Sequence, residues 1–222
     1  DGVGIGEAAD ADAYGDEGSH TLANTARSVG GFDLPNLQRA GLGNLASIAG
    51  LAIEPHPVAA HGVMEPKSSG KDSTAGHWEL AGVQLAKPFP TYPQGFPQGV
   101  LDEFSARTGR PCICNLVGSG TAMLDQFGAE HVRTGSWIIY TSADSVFQVA
   151  AHEHVVPLAE LLAACASARA LLVPPHNVSR VIARPFVGRD GAWMRTSNRR
   201  DFSVASPDET LLDALAAAGI AR

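Results

Sequence analysis

The sequence predicts an α/β protein, because strand-like and helix-like segments alternate along its second half. Three short runs that end near turn signals predict strands at 111–115, 137–141 and 179–186. Segments rich in helix-forming residues lie before and between them and predict helices at 99–107, 121–127 and 157–172. A proline-rich segment precedes this half and predicts a linker or crossing between two domains; it contains Pro88, Pro90, Pro93 and Pro97.

Composition excludes several classes of protein. The chain has 222 residues, of which 45% are hydrophobic and 18% charged, as is ordinary for a globular protein. A net charge of −7 argues against a general nucleic-acid-binding surface. No apolar run approaches the ~20 residues that a membrane helix needs. The first residues, 1–4, lack the basic and apolar regions of a signal peptide.

The three cysteines do not form a disulfide framework. Cys112 and Cys114 are two residues apart on a predicted strand, so their side chains are expected on the same face. This spacing favours buried free thiols over a metal-binding pair. The low cysteine count fits a reducing compartment, most simply the cytoplasm.

Segment 70–79 has the sequence Gly-Lys-Asp-Ser-Thr-Ala-Gly-His-Trp-Glu. Its serine, Ser73, lies between a Lys-Asp pair and a Gly-His step. The glycine content of the segment predicts a flexible turn rather than a regular helix or strand. A serine becomes a nucleophile only when a base or a metal activates it. Two further segments, at 1–6 (Asp-Gly-Val-Gly-Ile-Gly) and 140–148 (Tyr-Thr-Ser-Ala-Asp-Ser-Val-Phe-Gln), accompany this one.

Together these three segments resemble the phosphopentomutases, metal-dependent members of the alkaline phosphatase superfamily. The resemblance extends over essentially the whole chain, and further matching stretches lie at 33–37, 42–43, 130–131, 155–158, 180–188 and 195–199. It implies an alkaline phosphatase-like core, incomplete in this chain, with an inserted α/β cap domain that closes over the substrate. The expected division is 1–88 for the first part of the metal-binding core, 89–204 for the cap and 205–222 for a truncated return to the core.

Both ends of the chain look cut. Ser206 to Glu209 (Ser-Pro-Asp-Glu) predicts a capping box that begins a helix, and Gly219 is its expected end. The leucines of that helix form one apolar stripe, and such a stripe is expected to pack against a sheet. The resembled family continues well beyond this point, and its later part supplies further aspartate and histidine ligands for two metal ions.

Ser73 aligns with the family's catalytic threonine, so the resemblance implies that Ser73 is the phosphorylated nucleophile. The motif is Lys-Asp-Ser here, where the family usually has Lys-Asp-Thr. Two alternatives stay open from the residues themselves. Ser73 also fits a turn hydroxyl or a helix cap, and Thr74 is the adjacent competitor.

The resemblance also implies two Mn²⁺ ions in the complete protein, with Asp1 and Ser73 among their ligands. An aspartate before glycines equally fits a simple turn. His77 is expected to support the nucleophile segment rather than to bind metal directly. His152 and His154 are expected to form a solvated surface pair.

Six arginines lie between positions 180 and 200 of this acidic chain, and guanidinium groups bind phosphate oxygens bidentately. The positions that match the family's sugar-phosphate contacts are Ser142, Asp144, Val146, Arg180, Ile182 and Arg195. Asp144 is expected to accept hydrogen bonds from ribose hydroxyls, while Arg180 and Arg195 hold the distal phosphate. Arg189 and Arg200 are assigned to a solvated basic face.

The implied reaction interconverts ribose 1-phosphate and ribose 5-phosphate, and the 2-deoxyribose pair, through a 1,5-bisphosphate. A sugar bisphosphate such as glucose 1,6-bisphosphate would prime Ser73, and nucleoside salvage is the expected setting. The partners are therefore small pentose phosphates, with no nucleic acid and no membrane. The alternatives are a metal-dependent phosphohydrolase of the same superfamily and a non-catalytic phosphosugar-binding remnant.

Overall fold

A computed structural model of the chain describes residues 4–221. The chain divides into two compact units, one that extends to Lys67 and one that begins at Ser68. Over the described residues the predicted α/β class is confirmed, with a mixed sheet and seven α-helices. The alkaline phosphatase-like core, the cap and the boundaries at 88 and 204 stay predictions. Within the described residues, no helix is both long enough and apolar enough to cross a membrane.

The first unit contains two short α-helices, α1 (Thr21–Ser28) and α2 (Pro35–Arg39). The imidazole of His20 accepts the Ala23 N–H and so begins α1. Ala23 and Ala26 of α1 pack with Ile48 in a small core.

The second unit contains the sheet and the remaining helices. Its helices are α3 (Ser73–Leu80), α4 (Gln98–Thr108), α5 (Gly120–Thr134), α6 (Leu158–Leu171) and α7 (Leu211–Ala217). Its strands are β1 (Cys112–Val117), β2 (Trp137–Thr141), β3 (Val146–His152), β4 (Arg180–Arg189), β5 (Ala192–Arg195) and β6 (Arg200–Ser203). The strands follow the order β1-β2-β3-β4-β5, and β6 also pairs with β4.

Strand direction in this sheet follows the length of each connection. Residues 142–145 are a short link, so β2 and β3 are antiparallel. The longer connection through α6 makes β3 and β4 parallel. As a result, the 142–145 loop lies at the same edge of the sheet as the start of β4.

The main core lies on one face of the sheet. Strand residues at alternate positions pack there against α4 and α6; they are Trp137, Ile139, Phe147, Val149, Val181 and Ala183. The intervening strand residues face the other way. Ile138, Tyr140, Ala150 and Phe186 pack beside Met123 and Leu124 of α5 in a second cluster.

The two cysteines of β1 lie in different clusters, so the same-face prediction is wrong. Cys112 packs against the main core, whereas Cys114 packs in the α5 cluster. Cys114 and Asn115 have φ of 81° and 59°, and the register with β2 shifts between Cys114 and Leu116. This irregularity turns the Cys114 side chain over. All three cysteines are free, and burial raises the pKa of each thiol.

The capping box of α7 lies four residues after the predicted one. Thr210 accepts the Asp213 N–H, and the Asp213 carboxylate accepts the Thr210 N–H in return. The Ser206 hydroxyl instead donates to the carbonyl oxygen of Asp208 at 2.8 Å, which holds a turn before the helix. Gly219, with φ of 71°, ends the helix as predicted.

Candidate functional site

The segment that carries Ser73 is helical from Ser73 onward, so the predicted flexible turn is wrong there. Asp72 is the N-cap of α3, and its Oδ1 accepts the N–H groups of Thr74 and Ala75 at 2.8 and 3.3 Å. These bonds satisfy two of the donors that the first helical turn leaves unpaired. The cap outweighs the cost of one glycine, Gly76, in the middle of the helix.

Ser73 is the first residue of α3 and is half-buried, whereas Thr74 is buried. The exposure difference favours Ser73 over Thr74 as the accessible hydroxyl. One turn later, the Nδ1–H of His77 donates to the Ser73 carbonyl oxygen at 2.5 Å. This bond is consistent with the supporting role expected of His77.

The second oxygen of Asp72 contacts a distant part of the unit. Asp72 Oδ2 accepts the Ser179 hydroxyl at 2.7 Å and the Ser145 N–H at 3.3 Å. Ser145 lies between Asp144 and Val146 in the chain, and Ser179 immediately precedes Arg180. The start of α3 therefore lies beside the starts of β3 and β4.

Most of the predicted sugar-phosphate contacts lie together at this edge of the sheet. Val146 pairs with Arg180, and Ile182 lies two residues further along β4 on the same face. The carboxylate of Asp144 is 3.7 Å from the Arg180 guanidinium. Ser142 lies in the same short loop as Asp144. The structure thus brings these five predicted residues together.

Arg180 is held between two carboxylates. Its Nη1 donates to Asp201 at 3.2 Å, and its Nε is buried without a hydrogen-bond partner among residues 4–221. Arg199 also binds Asp201, through bonds of 2.7 and 2.8 Å. Burial alone would raise the pKa of Asp201, but the bond from Arg199 and the charges of Arg199, Arg180 and Arg184 lower it overall.

Arg195, the sixth predicted contact, belongs to a second positive group further along the same face. A methyl group added at Gly120 would be 2.7 Å from the Tyr140 hydroxyl and 3.7 Å from Nη1 of Arg195. Burial raises the pKa of Tyr140, while the charges of Arg184, Arg195 and Arg199 oppose that shift. Gly120 is the first residue of α5, whose N-terminal end carries a partial positive charge. This group is suited to an anion.

Gln148 and Asp201 of this face were missed from the sequence, and Arg184 was counted among the six arginines but not among the substrate contacts. Arg184 and Gln148 are joined by a bond of 3.0 Å from Nε to Oε1, and burial lowers the pKa of Arg184. Both lie two residues from a predicted contact on the same strand, so strand alternation was a usable signal. Asp201 gave no such signal, because only the pairing of β6 with β4 brings it to Arg180.

The predicted solvated histidine pair is wrong for His152 and correct for His154. Strand β3 continues through His152, which is 6% exposed, and the chain then turns. The His152 N–H donates to Nε2 of His131 at 2.8 Å, and its own Nε2 contacts the Gly188 carbonyl at 3.2 Å. His154 is exposed, as are Arg189 and Arg200 of the predicted solvated face.

The expected metal ligand Asp1 lies outside the described residues. Among residues 4–221, no group of three or more histidine, cysteine, aspartate or glutamate side chains is arranged to hold a metal ion. The described residues alone therefore do not fit a Mn²⁺ centre, since Ser73 would be a single hydroxyl ligand.

A half-buried serine at a helix start beside a sheet face that carries arginines suits a protein that acts on phosphate esters, because serine can be a nucleophile and guanidinium groups bind phosphate oxygens. No family model matches the sequence. The chain is 54% identical to the phosphopentomutase of Carboxydothermus hydrogenoformans over 219 residues, 99% of this chain and 56% of that protein. It is 52% identical to the phosphopentomutase of Desulfitobacterium hafniense over 220 residues, 99% of this chain and 57% of that protein.

The phosphopentomutase of Clostridium acetobutylicum is 50% identical over 213 residues, 96% of this chain and 55% of that protein. The resemblance to phosphopentomutases is therefore confirmed along nearly the whole of this chain. The chain spans about half the length of the curated relatives it matches.

Proposed function

We propose that the complete protein is a phosphopentomutase, an isomerase that interconverts ribose 1-phosphate and ribose 5-phosphate, and the 2-deoxyribose pair. Its relatives are named for this activity and match nearly all of the chain. The structural observation that carries the proposal is the Asp72 bridge, which joins the helix of Ser73 to the edge with Asp144 and Arg180.

In the proposed reaction Ser73 begins as a phosphoserine. The free hydroxyl of the incoming pentose monophosphate forms a new O–P bond as the bond between phosphorus and the Ser73 oxygen breaks. The hydroxyl proton is transferred to the released serine, and a 1,5-bisphosphate results. After the sugar reorients, Ser73 attacks the other phosphate, and the proton returns to the sugar oxygen that is released.

The arginines of this face suit the distal phosphate, which stays on the sugar while the other phosphate is transferred at Ser73. Arg180 carries a charge that Asp144 and Asp201 partly neutralise. Arg184 and Arg195 lie around Tyr140 and the start of α5, further along the face. The carboxylate of Asp144, beside Arg180, can accept hydrogen bonds from the sugar hydroxyls.

The cofactors are proposed for the complete protein only. Mn²⁺ would have Asp1 and Ser73 among its ligands, and a sugar bisphosphate such as glucose 1,6-bisphosphate would prime Ser73. Of the described residues only Ser73 belongs to this ligand set, and Asp1 lies outside 4–221. Cytoplasmic location and a role in nucleoside salvage belong to the same proposal.

A coupled assay of ribose 1-phosphate conversion to ribose 5-phosphate tests the function on the native protein, supplied with Mn²⁺ and glucose 1,6-bisphosphate. We expect turnover in the wild type and none in Ser73→Ala. Thr74→Ala is the matched control, because it removes the neighbouring hydroxyl and should leave phosphorylation at position 73.

Release of inorganic phosphate without isomerisation would identify a phosphohydrolase instead. Binding of ribose 5-phosphate without any turnover would identify a non-catalytic phosphosugar-binding protein. Loss of activity in Thr74→Ala with retention in Ser73→Ala would move the nucleophile by one residue.

A further inference from the structure

Asp72 makes more hydrogen bonds than a helix cap requires. An N-cap side chain needs a single oxygen to accept the N–H groups of the first turn, and Asp72 Oδ1 does this for Thr74 and Ala75. Its Oδ2 accepts from Ser145 and Ser179, which are 73 and 107 positions away in the chain. One carboxylate therefore joins three separate segments of the unit.

The two distant donors belong to a buried polar network. Ser145 and Ser179 are 1% and 0% exposed. The Ser179 hydroxyl is 2.8 Å from the Ser145 carbonyl oxygen, and the Ser179 N–H donates to the Ser145 hydroxyl at 3.3 Å. Hydrogen bonds to a carboxylate are stronger than neutral ones, and burial strengthens them further. The network thus fixes where α3 begins.

We propose that Asp72 is a positioning residue that sets the placement of Ser73 relative to the pentose-phosphate contacts Asp144 and Arg180. Ser73 follows Asp72 directly, while Asp144 precedes Ser145 and Arg180 follows Ser179. This inference depends on the proposed function, because the placement matters for transfer between Ser73 and a bound sugar. Phosphoryl transfer needs near-contact alignment, and a shift of about 1 Å can cost roughly a hundredfold in rate.

Two substitutions separate docking from capping. Asp72→Asn keeps an oxygen that can cap α3 but presents an NH₂ group where Oδ2 accepts. Ser179→Ala removes a donor to Oδ2 and leaves the cap untouched. Ser136→Ala is the matched control, since Ser136 is also a buried serine and hydrogen-bonds within the turn before β2.

The first readout is single-turnover transfer from the phosphorylated protein to ribose 5-phosphate. We expect Asp72→Asn and Ser179→Ala each to slow transfer by about ten- to a hundredfold, with Ser136→Ala within about twofold of wild type. The double variant should be no slower than the slower single variant, because both changes remove one interaction. Wild-type rates in both single variants, or losses that multiply in the double variant, would overturn the positioning role.

The second readout does not depend on activity. Hydrogen exchange at the amides of 74–80 should be faster in Ser179→Ala than in Ser136→Ala, although Asp72 can still cap the helix. Unchanged exchange in Ser179→Ala would overturn the inference. A wild-type protein without mutase activity would instead overturn the proposed function, and the exchange data would then decide alone whether Ser179 holds α3.

Discussion

The arginines of the candidate site differ in how far their charge is already balanced. Arg180 contacts two carboxylates, and Arg199 binds Asp201 through two bonds. Arg195 forms no ion pair with any described residue and lies near Tyr140 and the start of α5. Of these three arginines, Arg195 therefore has the most charge available to a phosphate.

We predict that Arg195→Gln weakens binding of ribose 5-phosphate by about tenfold or more, because it removes a charge-assisted hydrogen bond to the phosphate. Titration calorimetry on the Ser73→Ala background, where no transfer occurs, measures the effect. Arg189→Gln is the matched control, since Arg189 is exposed and outside both positive groups. Equal affinity losses in the two variants would indicate a non-specific charge effect.

Gly120 is required by close packing. A methyl group there would lie 2.7 Å from the hydroxyl of the buried Tyr140. We predict that Gly120→Ala destabilises the protein by about 1–3 kcal/mol, as overpacking does. Urea denaturation should show this loss, whereas Gly99→Ala, near the start of α4 with open space around it, should not. Similar midpoints for both variants would contradict the close packing.

Two glycines of the α3 segment differ in their role. Gly76 lies inside the helix, where another residue would fit, and Gly82 follows the helix with a backbone conformation that favours glycine. Nothing lies within 4 Å of a methyl group added at Gly76, whereas Gly82 has φ of 94°. We predict that Gly76→Ala stabilises the protein by about 0.5–1 kcal/mol. Gly82→Ala should destabilise it by roughly 1 kcal/mol, because alanine disfavours positive φ. Denaturant titration of the two variants measures both signs, and an unstable Gly76→Ala would indicate an unrecognised contact.

Elements whose signals are local were predictable from the sequence. Strand β2 begins and ends where its β-branched and aromatic run predicted, and α4 and α6 lie within two residues of their expected bounds. Helix α3 was missed, because its cap depends on an aspartate whose role was overlooked beside two glycines. The turned side chain of Cys114 was also missed, since the two hydrogen bonds between Asn115 and Phe96 that hold this backbone join distant segments.

At the scale of the whole molecule, the part of the site that follows from local sequence motifs was predictable, and the part that depends on contacts between distant segments was not. Five of the predicted contacts lie together because they occupy two sequence motifs that the β3–β4 pairing brings side by side. The roles of Asp72, Asp201 and Gly120 depend on contacts between segments that are far apart in sequence. Such contacts leave no periodic pattern in the chain.

A buried histidine makes the stability of the sheet unit depend on pH. Burial lowers the pKa of His131, and the charges of His152 and Arg110 lower it further, although its bond to the Ser136 carbonyl opposes the shift. The unfolded chain, with a histidine pKa of about 6.5, therefore binds a proton more readily than the folded protein. The stabilisation is complete above about pH 6.5 and is lost as the pH falls towards the lowered pKa.

We predict that the midpoint of thermal unfolding decreases as the pH is lowered from about 7 to about 5.5, because protonated His131 can no longer accept the His152 N–H. Thermal unfolding across this range measures the slope. His131→Gln should flatten it, whereas His154→Gln, at an exposed position, should keep the wild-type slope. An unchanged slope in His131→Gln would assign the pH dependence to other groups.

Strand β4 is shared by two short partners along one edge. Strand β6 pairs with Arg180–Ala183 and β5 with Phe186–Arg189, so Arg184 and Pro185 lie between them. The connecting segment is fastened by Glu153, which accepts hydrogen bonds from Thr196 and Asn198. Since β5 and β6 pair with separate parts of β4, the backbone hydrogen bonds of one strand do not depend on those of the other, and local opening of one is expected to leave the other paired.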